Sequence, residues 1–214
     1  MIRIKIIAEC GVNYNSIEEA KEMIKRSKEV GCWASKFQLF TPEVAPNLPE
    51  HLYLSFDHAR ELFEYGKSIE HVVFFTPMYI EAIDFLETID IEYYKVRYND
   101  RWNPFLLSKI IKTNKPYFVS YSYEELRDHA DLYIRQYEFE HMWPLFCVPK
   151  YPASFEDYKH LITYGYSDHC PDLKLLEFAK FHNALWFEKH VKLEGTKPLE
   201  NEWSVGFSEL EEIL

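Results

Sequence analysis

The sequence has no run of about 18 apolar residues, so no membrane span is expected. It has no C-x-x-C pair. Cys10, Cys32, Cys147 and Cys170 stand far apart, a spacing that suggests neither a zinc knuckle nor a disulfide framework. A reducing cytoplasm is the expected setting. The opening stretch "MIRIKIIAEC" is too short for a signal peptide, has no small-residue cleavage site, and reads as a first strand. Basic residues are scarce: 24 Lys and Arg stand against 35 Asp and Glu, for a net charge of −11. Nucleic-acid binding requires a dense basic surface, which this chain lacks. An anionic small substrate must therefore meet a local basic pocket within an acidic whole. No Gly/Ser tract, charge block or low-complexity linker divides the chain.

What is present is a repeating pattern across 214 residues, 47% of them hydrophobic. A domain of this length buries roughly 70–75% of its unfolded surface, so a core forms without disulfides. Short β-rich runs alternate with amphipathic stretches through eight cycles. Strands are expected near 2–9, 33–38, 72–76, 93–96, 117–121, 144–148, 162–167 and 185–191. Helices are expected near 16–30, 57–68, 80–88, 104–112, 123–135, 155–160, 172–181 and 208–214. Ser16 with Glu19 forms a capping box, Gly31 is a helix stop, and Pro104 suits a first helical turn.

Strictly alternating strands and helices imply parallel pairing with right-handed crossovers. Eight such units predict an α/β fold: a closed, short-looped (β/α)8 TIM barrel, one domain over residues 1–214. The rival is an open doubly wound sheet, which the absence of a Gly-rich first turn disfavours. The aromatic excess, with 16 Tyr, 16 Phe and 5 Trp, either fills a trimmed barrel or covers helices that face a partner.

In such a barrel the chemistry sits at the C-terminal ends of the strands. Here those ends carry Glu9, Lys36 and Gln38, Thr76, Lys95 and Arg97, Ser120, Ser167 with His169, and Glu188 with His190. Side chains alternate along a strand, so Ser167 shares a face with His169, and Glu188 with His190. Strands seven and eight are neighbours about 4.8 Å apart, which lets the two histidines converge on one ion. Two imidazoles suit Zn, Mn, Fe or Co, with the remaining positions left to water or substrate. Asp168 and Glu188 add carboxylates nearby. A single histidine is more often a surface or satisfied core residue; the pair at adjacent strand ends argues for a metal. Lys36 and Lys95 have three readings: ion-pair partners of Glu9 or Glu188, anion holders, or a Schiff-base amine.

The segments "IIAECGVNYNS", "ASKFQLF", "FFTP", "YYKV", "CVPKYP", "GYSDH" and "FEKHV" together resemble, in order, the signature stretches of the sialic acid synthase (NeuB-like) family. The resemblance implies a (β/α)8 barrel that condenses phosphoenolpyruvate with an N-acetylated sugar aldehyde such as N-acetylmannosamine and releases phosphate. It implies a divalent metal, Mn²⁺ first, with Mg²⁺, Co²⁺ or Zn²⁺ as alternatives. On this basis His169 and His190 correspond to metal ligands. Lys36, Thr76, Lys95, Ser120 and Ser167 fall at the phosphoenolpyruvate side and Tyr151 at the sugar side, with Gln38 a further substrate-binding residue. Glu9 and Glu188 match two carboxylates near the reacting atoms, one of which handles the water that adds to the substrate.

The chain departs from the family pattern in several places. Tyr14 stands where the family has His, Ser16 where it has Gly, Tyr98 where it has Ser, and Pro149 where it has Ser or Asn. "SYSY" replaces Ser-Thr-Gly-Met, and a late Asp-His is replaced near Asn201 and Glu202. Arg97, Arg101 and Lys150 are candidates to compensate at the rim. The match covers the barrel only, without the family's antifreeze-like domain. Two partners stay open: a second copy of the chain, or a separate polypeptide carrying that domain. So do two other functions, a barrel that binds without turnover and a metal-dependent enzyme acting on another phosphorylated substrate.

Overall fold

The computed structural model describes residues 3–128 and 141–214. Eight parallel strands follow one another in chain order: β1 (Lys5–Gly11), β2 (Ala34–Leu39), β3 (Val72–Pro77), β4 (Tyr94–Val96), β5 (Tyr117–Tyr121), β6 (Met142–Cys147), β7 (Gly165–Asp168) and β8 (Trp186–Lys192). A ladder between β1 and β8, from Lys5 opposite Trp186 to Glu9 opposite His190, closes the sheet. That ladder excludes an open doubly wound sheet and makes the architecture a (β/α)8 barrel.

The outer layer contains α1 (Ile17–Glu29), α2 (Phe56–Ser68), α3 (Ile80–Thr88), α4 (Pro104–Lys112), α5 (Tyr123–Asp128), α6 (Phe155–Tyr158), α7 (Lys174–Phe181) and α8 (Phe207–Glu211). Local chemistry starts and stops them. The Ser16 hydroxyl accepts from the Glu19 N–H at 3.2 Å, while the Glu19 carboxylate reaches back to the Asn15 N–H at 2.7 Å. Past the end of α1, Gly31 takes φ +88°, a backbone angle that side chains disfavour. Asn103 caps α4 and Pro104 opens it.

Several boundaries differ from expectation. The strand expected over 162–167 begins only at Gly165, because Ile162 and Tyr164 are solvent-exposed and the apolar run does not enter the wall. The close packing of β6 on β7 explains that glycine: a Cβ on Gly165 would lie 2.5 Å from Leu145. Strand β1 begins at Lys5 rather than residue 2, and the last helix covers Phe207–Glu211 rather than 208–214. Of the helix expected over 123–135, residues 123–128 form α5 and residues 129–135 lie outside the described residues. A two-residue strand, β9 (Val205–Gly206), was not anticipated; it pairs with the end of β8.

Aromatic rings fill the barrel's lower half. Trp186 meets Trp33 and Phe118 at centroid distances of 4.8 Å and Trp143 at 5.4 Å, and Phe74 packs on Phe118 at 5.8 Å. Large rings suit a barrel whose interior must be filled by few side chains. With the floor plugged, open space remains only above it, at the C-terminal ends of the strands. Among the described residues no helix is long and apolar enough to cross a membrane.

Candidate active site

A cavity of about 500 Å³ occupies that upper end. The residues expected to carry catalysis, bind substrate or hold a metal line it: Glu9 from β1, Lys36 and Gln38 from β2, Thr76 from β3, Lys95 from β4, Ser120 from β5, Tyr151 after β6, Ser167 and His169 from β7 and beyond, Glu188 and His190 from β8. The period-two alternation of strands produces this convergence.

At the centre lies a buried chain of four charges. Lys36 is paired with Glu9 and lies 3.2 Å from Glu188, whose other oxygen is 3.1 Å from Lys95. Hydroxyls complete the set: Lys36 donates to Thr76 at 3.1 Å, and Lys95 to Ser120 at 2.7 Å. Gln38 donates to Glu9 at 2.9 Å. All four charged groups are almost fully buried, so they interact at low effective dielectric. Burial alone would favour a neutral Lys36, but Glu9 and Glu188 outweigh it and raise the lysine above its ordinary value. Held between two carboxylates, Lys36 favours the ammonium form that an anion holder needs. Burial would likewise raise Glu188, yet Lys95 and Lys36 together hold it well below the usual carboxylate range. Glu9 differs: burial dominates, Lys36 only partly offsets it, and its value is raised. The two carboxylates are thus shifted in opposite directions by unequal contact with the lysines, Glu188 meeting two and Glu9 one.

The histidines flank this cluster, with ring centroids 5.4 Å apart. His169 Nδ1 is 2.7 Å from the Val148 carbonyl, which can only accept, so Nδ1 carries the proton and Nε2 keeps its lone pair. Burial and the neighbouring His190 depress His169 to about 3, keeping it neutral. His190 Nδ1 faces the Glu200 carboxylate at 2.9 Å, which again leaves Nε2 free. Burial opposes charge on His190, but Glu200, Glu9 and Glu188 outweigh it and raise its value. Two nearby imidazoles, each oriented through Nδ1 by a backbone carbonyl or a carboxylate, could serve as two ligands of a divalent metal. Among the described residues no group of three or more His, Cys, Asp and Glu side chains is arranged to hold an ion. The two imidazoles leave the remaining positions to water and substrate oxygens.

Asp168 is a correction. It lies on the other face of β7 and pairs with Lys189 at 3.0 Å, so it contributes no carboxylate to the cavity. Arg97 lines the cavity while paired with Asp100; Arg101 is bound to Glu125 at 2.7 Å and Lys150 to Asp157 at 3.3 Å, both away from it. Tyr14 is buried against Phe37 and does not reach the site, whereas Tyr98 and Pro149 do line it.

Other lining residues were not foreseen. Glu200, rather than Asn201 or Glu202, is the late acidic group in the cavity, joined by Trp203 and Cys147. Gly11, at φ +43°, passes so close that an added Cβ would lie 2.7 Å from a Glu9 oxygen and 2.8 Å from a Glu200 oxygen. Cys147 is pushed up to about 12, chiefly by burial, and remains a thiol. Tyr158 sits behind the wall. Its hydroxyl donates to the Ser167 carbonyl at 2.8 Å and accepts from the His169 N–H at 3.3 Å, fixing where β7 ends. The short helix that carries it, expected near 155–160 and observed at Phe155–Tyr158, opens on a capping box of Ser154 and Asp157.

A model of the NeuB family matches residues 43–214. An uncharacterized protein of Methanocaldococcus jannaschii is 29% identical, over 88% of this chain and 62% of its own length. The pseudaminic acid synthase of Helicobacter pylori is 28% identical, over 88% of this chain and 66% of its own length. The chain thus spans about two thirds of the length of these curated relatives. The N-acetylneuraminic acid synthetase of Leptospira borgpetersenii, solved with citrate, superposes with a TM-score of 0.85 over 98% of this chain and 81% of that one, at 22% identity. At that identity the likeness is one of fold.

Proposed function

This chain belongs to the NeuB family, and from that premise we propose that it condenses phosphoenolpyruvate with an N-acetylated, N-acetylmannosamine-like sugar aldehyde, giving a sialic-acid-type nonulosonate and phosphate. One observation carries the reading: two imidazoles with free Nε2 atoms stand beside two buried ammonium groups at the open end of one barrel. His169 and His190 would hold a divalent metal, Mn²⁺ before Mg²⁺, Co²⁺ or Zn²⁺, and the ion would supply Lewis-acid polarisation of the aldehyde oxygen.

The chain's own residues do the rest. Lys36 and Lys95, backed by Thr76, Ser120 and Ser167, neutralise the phosphate and carboxylate of phosphoenolpyruvate and fix its plane. Both lysines are already shared with Glu188, so the substrate binds by displacing part of that pairing. The enol carbon attacks the aldehyde carbon, whose oxygen takes up a proton to become a hydroxyl; positive charge develops at the adjacent carbon, water adds there, and the C–O bond to phosphate then breaks to leave the ketone and free phosphate. Glu9 takes the water's proton, because Glu188 is held by both Lys36 and Lys95. Glu188 stays anionic and holds the two lysines apart.

The test is phosphate release from phosphoenolpyruvate with Mn²⁺ and a panel of N-acetylated hexoses. Release only when aldehyde is present is the expected result. Tyr98 and Pro149 in the lining favour a second reading, a barrel that binds without turnover. Thermal stabilisation by ligands without release would support it. Turnover of another phosphate ester would point to a different substrate.

A further inference from the structure

Asn13 belongs to the "GVNYNS" stretch, yet it does not line the cavity and is 2% exposed. Its side chain spends its hydrogen-bonding capacity on a segment nearly two hundred residues away. The amide nitrogen donates to the Val191 carbonyl and to Ser204 Oγ, each at 2.9 Å. The amide oxygen accepts from the Glu200 N–H at 3.3 Å. Val191 O can only accept, which fixes the amide's orientation. Ser204 Oγ in turn donates to the Glu200 carbonyl at 2.7 Å. Two lysines hold the same turn from behind: Lys192 donates to Asn201 Oδ1 at 2.9 Å, and Lys189 to the Trp203 carbonyl at 3.4 Å.

This turn carries Trp203 into the cavity wall. The Trp203 ring stands edge-on to Tyr151, 5.3 Å between centroids, and 6.4 Å from His190; Tyr151 in turn lies over His169 at 4.1 Å. The two rings form an aromatic corner directly above both imidazoles. An apolar corner beside a polar cluster suits a small polar ligand that also has an apolar substituent.

We propose that Asn13 is a positioning residue that seats the Glu200–Ser204 turn, and that Trp203, so placed, is the specificity-determining wall for the acyl substituent of the aldehyde substrate. The identity of that ligand rests on the condensation reading above; the seating of Trp203 does not.

The chain labelled with fluorotryptophan gives five tryptophan fluorine resonances, and Trp203→Phe assigns one of them. Asn13→Ala is expected to shift or broaden the Trp203 resonance while leaving Trp33 and Trp186, in the barrel floor, unchanged. The KM for N-acetylmannosamine should rise about tenfold while that for phosphoenolpyruvate stays within about twofold. Trp203→Ala should reproduce this KM split. If Asn13→Ala loses dispersion at all five positions, Ser204→Ala decides, since it removes one hydroxyl from the turn and leaves Asn13 on Val191. An unmoved Trp203 resonance, or equal KM changes for both substrates, would overturn the proposal. Absence of turnover in the wild type counts against the condensation alone, because the fluorine spectrum still reports the seating.

Discussion

Lys189 Nζ lies 3.0 Å from Asp168 Oδ2, and both side chains are completely shielded from solvent. Their sequence neighbours, His190 and His169, face the opposite way, into the cavity. One ion pair thus locks β7 to β8 from behind while the histidines project in front.

Removing one partner strands a buried charge. Lys189→Ala or Asp168→Ala should cost about 3–5 kcal/mol. The double variant Asp168→Asn, Lys189→Met should cost less than the sum of the single changes. Urea denaturation of all three variants measures this directly.

The divided roles of the two cavity carboxylates predict different kinetic signatures. Glu9→Gln should lower kcat about 100-fold or more and, since it frees only Lys36, tighten phosphoenolpyruvate binding less than the change at Glu188. Glu188→Gln frees Lys36 and Lys95 from a competing anion, so phosphoenolpyruvate should bind more tightly even as turnover falls. Calorimetric binding alongside steady-state kinetics separates the two. Weaker phosphoenolpyruvate binding in Glu188→Gln would contradict the assignment.

Glu200 orients His190 through Nδ1 at 2.9 Å. Glu200→Gln should therefore weaken Mn²⁺ binding about 10–100-fold without abolishing it. His190→Ala should weaken it further. The Mn²⁺ electron paramagnetic resonance signal, titrated against each variant, gives the affinities.

Much of the barrel was legible in the sequence because alternation is a local signal. Glu188 and His190, two residues apart, had to share a face, and strand ends had to gather at one rim. The same rule, applied one residue on, puts Asp168 on the wall's back. The ion pair that occupies it there depends on Lys189 of the next strand. Glu200 and Trp203 were missed because their turn has no periodicity and is set by Asn13, far away in the chain. Tyr158 was invisible for the same reason: its three hydrogen bonds go to the ends of two strands. The false start of β7 came from reading Ile162 and Tyr164 as buried when they face solvent.

His71, at the lower end of β3, bonds to Ser35 at 3.0 Å. Burial, helped by Lys28, depresses it to about 4 from an ordinary value of 6.5. The unfolded chain therefore binds a proton that the fold refuses. This contribution to stability is complete above pH 6.5 and is lost as the pH falls to about 4. It amounts to roughly 3 kcal/mol. His71→Gln should flatten the stability profile across that window in denaturation measured at several pH values.

Carrying out the reaction with Mn²⁺, phosphoenolpyruvate and N-acetylmannosamine in water labelled with heavy oxygen tests the condensation most directly. Water adding at carbon leaves the phosphate with only its original oxygens and puts the label in the sugar-acid product. Unlabelled phosphate, released only when aldehyde is present, is the expected result. Labelled phosphate would mean attack at phosphorus, and release without aldehyde would mean simple hydrolysis; either would contradict it.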